Sequence, residues 1–251
     1  MKQLLVIGIG AGDPDHLTMQ AVKALNRVDV FFLMDKGPAK GTLLDLRHEI
    51  CRRYIVDHPY RFVTADSPER QRGEVDYPTS VEDLNRAKQA TFERLINDEL
   101  SDGQCGGFLV WGDPSLYDST VRILQSILDA GRCAFEFEVI PGISSVQALA
   151  ARHRVPLNSI GGALEITTGR RLAAGQVSDA ASVVVMLDAE DAYRQVSDPQ
   201  TQVYWGAYVG TPDEILIEGR LGEVADDIER TRKAARNAHG WIMDTYLLRK
   251  P

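Results

Sequence analysis

Short apolar runs alternate with helix-length segments over about the first 140 residues of this 251-residue chain. The apolar runs cover residues 4–10, 29–35, 60–66, 106–112 and 135–142. The segments between them carry apolar residues at helical spacing. Strands that are separated by helices pair in parallel, through right-handed crossovers. The alternation therefore predicts an α/β fold whose N-terminal part is a doubly wound parallel sheet.

The alternation changes after residue 142. Later apolar runs, such as 182–187 and 202–209, are separated by fewer long helices, and the turn sequences TPDE and EGRLGE favour antiparallel pairing. We therefore predict two α/β domains. The N-terminal domain covers residues 1–142, and the C-terminal domain, which holds a mixed sheet, covers residues 143–251.

Composition excludes several classes of function. A formal net charge of −8 counts against a general nucleic-acid binder, and no stretch approaches the ~20 apolar residues of a membrane helix. The three cysteines lack a CxxC pair, and no two histidines have the spacing of metal ligands. We therefore expect a cytoplasmic protein that acts on a small molecule without nucleic acid, membrane or catalytic metal.

The first apolar run leads into a glycine-rich loop, VIGIGAGDPD, at residues 6–15. A dinucleotide-binding loop has the spacing G-x-G-x-x-G and presents a bare helix N-terminus to the pyrophosphate. Here the spacing is G-x-G-x-G, and Asp13 follows at once, where its carboxylate would repel a phosphate. Asp35 could imitate the acid that binds a ribose, but the loop as a whole counts against a nicotinamide-dependent reductase.

The triplet Gly-Asp-Pro occurs twice, at residues 12–14 and 112–114, each time after a predicted strand. Loops at the carboxyl ends of parallel strands face the crevice in which ligands bind. Glycine in such a loop lets a ligand approach the backbone, although either triplet alone could be an ordinary turn. The repetition predicts that two corners poor in side chains meet at one binding site.

Three motifs together resemble the tetrapyrrole methylases, the S-adenosylmethionine-dependent enzymes of cobalamin and siroheme synthesis. They are GIGAGDPDHLT at residues 8–18, WGDPSLYDST at 111–120 and PGISS at 141–145. Trp111 departs from the glycine that many members have at this position. The resemblance implies two α/β domains with the active-site cleft between them, S-adenosylmethionine as cofactor, S-adenosylhomocysteine as product and a homodimeric assembly.

The resemblance also implies a set of cofactor contacts, which come from the glycine loops, PGISS and the strands of the C-terminal domain. They are Ile9, Gly10, Gly112, Asp113, Leu116, Ser144, Ser145, Met186, Gly206, Ala207 and Met243. Ile9 and Gly10 are alternatives for one contact, as are Gly206 and Ala207, and a neighbour of Met243 could serve in its place.

Two further stretches, FFLMDKGPAKGTLLDLRHEI at residues 31–50 and HPYRF at 58–62, refine the resemblance. They are most similar to members that methylate carbon 1 of precorrin-5 and release the extruded acetyl group as acetate. A member that methylates a different ring carbon is the alternative. The substrate of either enzyme carries many carboxylates, so we expect Lys36 and Arg47 from this basic stretch to bind it.

Release of an acetyl group requires water to attack a carbonyl, a step that a general base assists. The candidates lie at or near predicted strand ends. We place Asp35 and Asp13 first and Tyr117 after them, and we expect His16 to be a solvated residue near the start of a helix.

Overall fold

A computed structural model describes residues 1–35, 41–68 and 77–251. The chain divides into two compact units. The first contains Met1–Gly10 and Pro14–Ile143, and the second contains Ala11–Asp13 and Ser144–Pro251. Within the described residues, no helix combines the length and the apolar character needed to cross a bilayer.

The first unit is built on a five-stranded sheet in the order β3-β2-β4-β1-β5, in which every pairing is parallel. Its strands are β1 (Lys2–Gly8), β2 (Val30–Asp35), β3 (Arg61–Asp66), β4 (Cys105–Val110) and β5 (Phe135–Ile140). Its helices are α1 (Met19–Leu25), α2 (Gly41–Tyr54), α3 (Tyr77–Glu99) and α4 (Thr120–Asp129).

Helices cover both faces of this sheet. Along β1, Leu4 and Val6 pack in one core cluster with side chains of α3 and α4. Leu5 and Ile7 pack in a second cluster with side chains of α1 and α2. A strand buried on both faces must be apolar at consecutive positions, which explains the continuous apolar run in the sequence. The prediction of a doubly wound parallel sheet is confirmed.

The strand order places β1 and β4 side by side at the point where the connections diverge. The connection that leaves β1 leads toward β2 on one side, and the connection that leaves β4 leads to β5 on the other. The loops that follow β1 and β4 therefore flank the crevice in which open α/β sheets bind their ligands.

The second unit has a mixed sheet in the order β6-β7-β10-β8-β9, as the sequence predicts. Its strands are β6 (Leu164–Thr168), β7 (Ser182–Met186), β8 (Gln202–Ala207), β9 (Ile215–Arg220) and β10 (Asp244–Arg249). Its helices are α5 (Ser145–His153), α6 (Gly169–Ala173) and α7 (Leu221–His239). Only β6 and β7 pair in parallel, and the other three pairings are antiparallel.

A buried polar network joins α7 to the sheet of this unit. The guanidinium of Arg232 donates to the carboxylates of Asp244, at 2.8 Å, and Asp191, at 2.7 Å. The indole of Trp205 donates to Asp244 at 3.0 Å. Burial raises the pKa of the Asp244 carboxyl, although Arg232 acts in the opposite direction. Each charge in the network has a partner, which a buried charge requires.

All three cysteines, Cys51, Cys105 and Cys133, are buried free thiols in the first unit. Burial raises the pKa of Cys51 to about 12 and that of Cys105 to about 11. Burial is also the main cause that raises the pKa of Cys133. Because the thiolate is the nucleophile, these side chains are poorly reactive in the folded protein.

The native protein should therefore resist a thiol-specific disulfide reagent. At about pH 8 a thiol of pKa 11 is only about one-thousandth ionised, and burial also hinders access. We expect no fast-reacting thiol before denaturation and three after unfolding in guanidinium chloride. The measurement is the absorbance of the thiolate that the reagent releases when it reacts. A thiol that reacts within seconds in the native protein would contradict this burial.

Candidate active site

The loops that follow β1 and β4 are joined by main-chain pairing between two glycines. The amide of Gly112 donates to the carbonyl of Gly10 at 2.7 Å, and the amide of Gly10 donates to the carbonyl of Gly112 at 3.3 Å. The two corners that the sequence predicts to meet are thus in contact at the carboxyl edge of the first sheet.

A third loop, after β5, reaches the same place through Gly142. A Cβ atom on Gly142 would lie 2.2 Å from the carbonyl oxygen of Gly112, and one on Gly8 would lie 2.6 Å from the amide nitrogen of Gly142. We call Gly8, Gly10, Gly112 and Gly142 the glycine corner. Close approach of backbone to backbone is therefore one reason for glycine at these positions, in addition to the ligand access predicted for the Gly-Asp-Pro loops.

Asp113 ties the loop after β4 to the loop after β5. Its carboxylate accepts hydrogen bonds from the amides of Gly142 and Ser115, both at 2.8 Å, and a further bond from the Ser115 hydroxyl. Burial acts to raise the pKa of the Asp113 carboxyl, but these donors outweigh it and the pKa is lowered. The carboxylate therefore holds the corner together, which is a role the sequence analysis did not assign to it.

The other predicted cofactor contacts of the first unit lie beside this corner. Ile9 is fully buried, in the cluster that also holds Leu5 and Ile7. Leu116 is half-buried in the loop after β4. The next residue, Tyr117, is exposed and has a left-handed backbone with φ of 53°. Such a conformation is strained for a bulky residue and is often found at functional sites.

The predicted bases are distributed along the chain. Asp35 ends β2 and lies in register with Asp66 at the end of β3. Because β4 separates β2 from β1, Asp35 lies outside the glycine corner. Asp13 is half-buried and is grouped with the second unit. Lys36, which the sequence predicts to bind substrate, lies outside the described residues.

His16 differs from the solvated residue that the sequence predicts. It packs where a side chain on Gly10 would otherwise lie, since a Cβ there would be 2.6 Å from the Cβ of His16. Its Nδ1 atom is buried and has no hydrogen-bond partner in the part of the chain that the structure describes. The sequence shows that Gly10 has no side chain, but it does not show that His16 fills the space beside Gly10.

Arg47 of α2 is half-buried, and its side chain reaches the first sheet. Its Nε donates to the carbonyl of Leu109 at 3.1 Å, and its Nη1 donates to the carbonyl of Leu43 at 2.7 Å. Burial lowers the pKa of Arg47 to about 10, while the charge of Asp118 acts in the opposite direction. The side chain is therefore still cationic at neutral pH.

Several predicted residues of the second unit form a row across its sheet. Met186 of β7 lies opposite Thr245 of β10, which in turn lies opposite Gly206 of β8. The hydroxyl of Ser145 is 2.9 Å from that of Thr245. A Cβ on Gly206 would contact Leu149 of α5 at 2.7 Å, so this row is on the face that α5 covers.

Two threonines in this row were missed by the sequence analysis. Thr245 is buried between Met186 and Gly206, and Thr168 at the end of β6 pairs with Met186. Among the described residues the Oγ1 of Thr168 is buried without a partner, which is costly unless a ligand completes its hydrogen bonding. The sequence gives no signal for either threonine, because both strands, LEITT and DTYLLR, contain other polar residues.

The remaining predicted contacts have structural roles of their own. The Ser144 hydroxyl caps α5 by accepting from the amide of Val146 at 3.1 Å. The Met243 carbonyl accepts from the amide of Tyr208 at 2.9 Å. The side chain of Ala207 is buried in the core that packs against α7, so Ala207 could contact a ligand on the α5 side only through its main chain.

A family model of the tetrapyrrole (corrin/porphyrin) methylases matches residues 3–225. The chain therefore belongs to this family. It is 50% identical over 250 residues to precorrin-6A synthase (deacetylating) from Sinorhizobium sp, a match that covers 100% of this chain and 96% of the relative.

Solved structures agree with this family. The cobalamin synthesis related protein CobF from Corynebacterium diphtheriae is 36% identical, with a TM-score of 0.83 and coverage of 99% of this chain and 98% of that one. Uroporphyrin-III C-methyl transferase from Thermus thermophilus, complexed with S-adenyl homocysteine, has a TM-score of 0.59 over 99% and 97% of the two chains. At 18% identity, this second likeness concerns the fold alone.

The close packing of the glycine corner makes Gly142 intolerant of a side chain. We expect Gly142→Ala to lower the free energy of unfolding by about 1–3 kcal/mol, because its Cβ would overlap a main-chain oxygen. In the control, Gly41→Ala, the new Cβ meets no atom of the described residues within 4 Å. Urea unfolding followed by circular dichroism compares the two, and equal stability of both variants would contradict the packing.

The hydrogen bonds of Asp113 predict a second stability change. Asp113→Asn turns one acceptor into a donor that faces other donors, so we expect a loss of about 1–3 kcal/mol in guanidinium chloride unfolding at neutral pH. The control Asp102→Asn, at an exposed side chain, should change stability by less than about 0.5 kcal/mol.

The pH dependence of this loss has a defined sign. A carboxyl with a lowered folded pKa stabilises the protein above its ordinary pKa of 3.8, and this contribution disappears as the pH falls through the folded value. The difference between wild type and Asp113→Asn should therefore shrink on acidification below pH 3.8. A difference that grows with acid would contradict the assignment.

Proposed function

We propose that the protein is an S-adenosylmethionine-dependent C-methyltransferase that converts precorrin-5 to precorrin-6A and releases acetate. The observation that carries the proposal is 50% identity to precorrin-6A synthase over the whole chain. The glycine corner adds support, because it places three loops at the ligand-binding edge of a parallel sheet.

The described residues fit an S-adenosylmethionine ligand. In the first unit the proposed contacts, which lie at or beside the glycine corner, are Ile9, Gly10, Gly112, Asp113 and Leu116. In the second unit the proposed contacts are Ser144, Ser145, Met186, Gly206, Ala207 and Met243. The buried hydroxyl of Thr168 beside Met186 has no partner within residues 1–35, 41–68 and 77–251, and a nucleoside hydroxyl could supply one. The cleft between two domains that the resemblance implies stays a prediction.

When bound, this cofactor supplies an electrophilic methyl group on its sulfonium. The protein must hold carbon 1 of the substrate against that methyl group, and such positioning can be worth about 7–11 kcal/mol of the barrier. For the acetyl group, a base removes a proton from water as the water adds to the carbonyl. The bond between the acetyl carbon and carbon 1 then breaks, acetate leaves, and the electron pair stays on carbon 1, which takes the methyl.

The general base is proposed to be one of Asp35, Asp13, Tyr117 and His16. Asp113 is a poor candidate, because its oxygens already accept three hydrogen bonds. Single variants (Asp35→Asn, Asp13→Asn, Tyr117→Phe and His16→Gln) distinguish the four. The base should slow acetate release by about 100-fold or more and leave the calorimetric affinity for S-adenosylmethionine unchanged. Normal rates in all four variants would place the base elsewhere.

The activity itself is tested by incubating the protein with precorrin-5 and methyl-labelled S-adenosylmethionine. We expect one acetate for each methyl group transferred, because loss of the acetyl group supplies the electron pair that the methyl group accepts. Label uptake without acetate would indicate methylation of a different ring carbon. Calorimetric binding of NADH instead of S-adenosylmethionine would overturn the methyltransferase assignment.

We further propose that the protein works in the cytoplasm as a homodimer. The resemblance to the family supports the dimer, and the three reduced thiols are consistent with a reducing compartment. Light scattering behind a sizing column would measure the assembly, with a mass of twice 27.8 kDa expected.

A further inference from the structure

The sheet of the first unit opens between β2 and β4. These strands are paired only as far as Phe32 and Phe108, whereas β2 continues to Asp35 beside β3 and β4 continues to Val110 beside β1. A cavity of about 120 Å³ lies at this opening. Side chains that line it include Met34, Arg47, Lys88, Trp111, Asp118 and Ser119.

Two cationic side chains reach the cavity from different helices. Arg47 of α2 spends two of its five N–H donors on the carbonyls of Leu43 and Leu109. Within residues 1–35, 41–68 and 77–251, its other three donors have no acceptor. Lys88 of α3 donates to the hydroxyl of Ser119 at 3.3 Å. Burial lowers the pKa of both cations, so each would gain from an anion beside it.

The side chain of Trp111 also lines this cavity. Within residues 1–35, 41–68 and 77–251, its indole Nε1 is buried and has no hydrogen-bond partner. An indole N–H can only donate, so an acceptor is what it lacks. The family resemblance gives no reason for tryptophan at this position, where many members have glycine.

One acidic side chain lines the cavity as well. Asp118 accepts a hydrogen bond from the amide of Thr120 at 2.7 Å, and its charge acts on both Arg47 and Lys88. Two cations and one carboxylate leave a single net positive charge. This balance suits a ligand with one negative charge better than a phosphate dianion.

We propose that this cavity is a binding site for a single carboxylate group, held by Arg47, Lys88 and the indole N–H of Trp111. The inference rests on the proposed function, which supplies two sources of such a group: an acetate or propionate arm of the tetrapyrrole and the released acetate. Whole ligands of drug size occupy roughly 300–1,000 Å³, so a cavity of about 120 Å³ accepts one arm and excludes the macrocycle.

Indole resonances in the proton–nitrogen NMR spectrum of the labelled protein test binding directly. The chain has three tryptophans, and Trp111→Phe identifies the signal of Trp111. The indole of Trp205 serves as an internal reference, because it is already bonded to Asp244. Titration with sodium acetate or propionate should move the Trp111 signal saturably, whereas sodium chloride at equal ionic strength should not.

The matched variants are Lys88→Met, which keeps the length of the side chain, and Lys23→Met at an exposed position of α1. Lys88→Met should weaken acetate binding by about tenfold, since a hydrogen bond to a charged group is lost. Lys23→Met should bind as wild type does. A Trp111 signal that stays still, or that moves equally with chloride, overturns the proposal.

Turnover then distinguishes the two sources. If the cavity holds an arm of the substrate, Lys88→Met raises KM for precorrin-5 by about tenfold and changes kcat little. If it holds the released product, KM is unchanged and inhibition by added acetate is relieved. If the protein binds acetate but does not convert precorrin-5, the proposed function is refuted and the carboxylate site stands. If the protein converts precorrin-5 and Lys88→Met changes neither KM nor the inhibition by acetate, the carboxylate site is refuted.

Discussion

Main-chain pairing of Gly10 with Gly112 holds the first unit together at the carboxyl edge of its sheet. It joins the loops of two strands whose connections run in opposite directions, at the place where such sheets leave a crevice. Gly142 brings a third loop against the same backbone, and Asp113 fixes that loop by hydrogen bonds. The absence of side chains therefore lets three loops pack closely against one another at this edge of the sheet.

The two faces of the sheet in the second unit carry different kinds of side chain. The face toward α7 carries large apolar side chains and the fully paired network of Arg232, Asp244 and Trp205. The face toward α5 carries Gly206 and hydroxyl side chains, and the Thr168 hydroxyl among them has no partner among the residues that the structure describes. Alternation along a strand makes this division possible, because successive residues point to opposite faces.

Much of the fold could be predicted from the sequence, because the period of the apolar residues reports on burial directly. The strand order could not, since it depends on pairing between distant residues. Asp113 was predicted as a cofactor contact, but the sequence gives no sign that Gly142 lies within its reach. Thr245 and Lys88 were missed because one hydroxyl in a strand, or one lysine on a charged helix, resembles many others. Arg47 was predicted to bind substrate because arginine recognises carboxylates. Its position at the opening between β2 and β4 depends on the fold, so the sequence could not show it.

The bond from Arg47 to Leu109 has a consequence for how this fold can vary. After Phe108 the carbonyl of Leu109 faces a gap instead of a neighbouring strand, so a donor from outside the sheet must satisfy it. Each residue of an α-helix turns by about 100°, and one insertion ahead of Arg47 within α2 would swing the guanidinium away from that oxygen. An insertion or deletion within α2 ahead of Arg47 is therefore incompatible with the bond to Leu109.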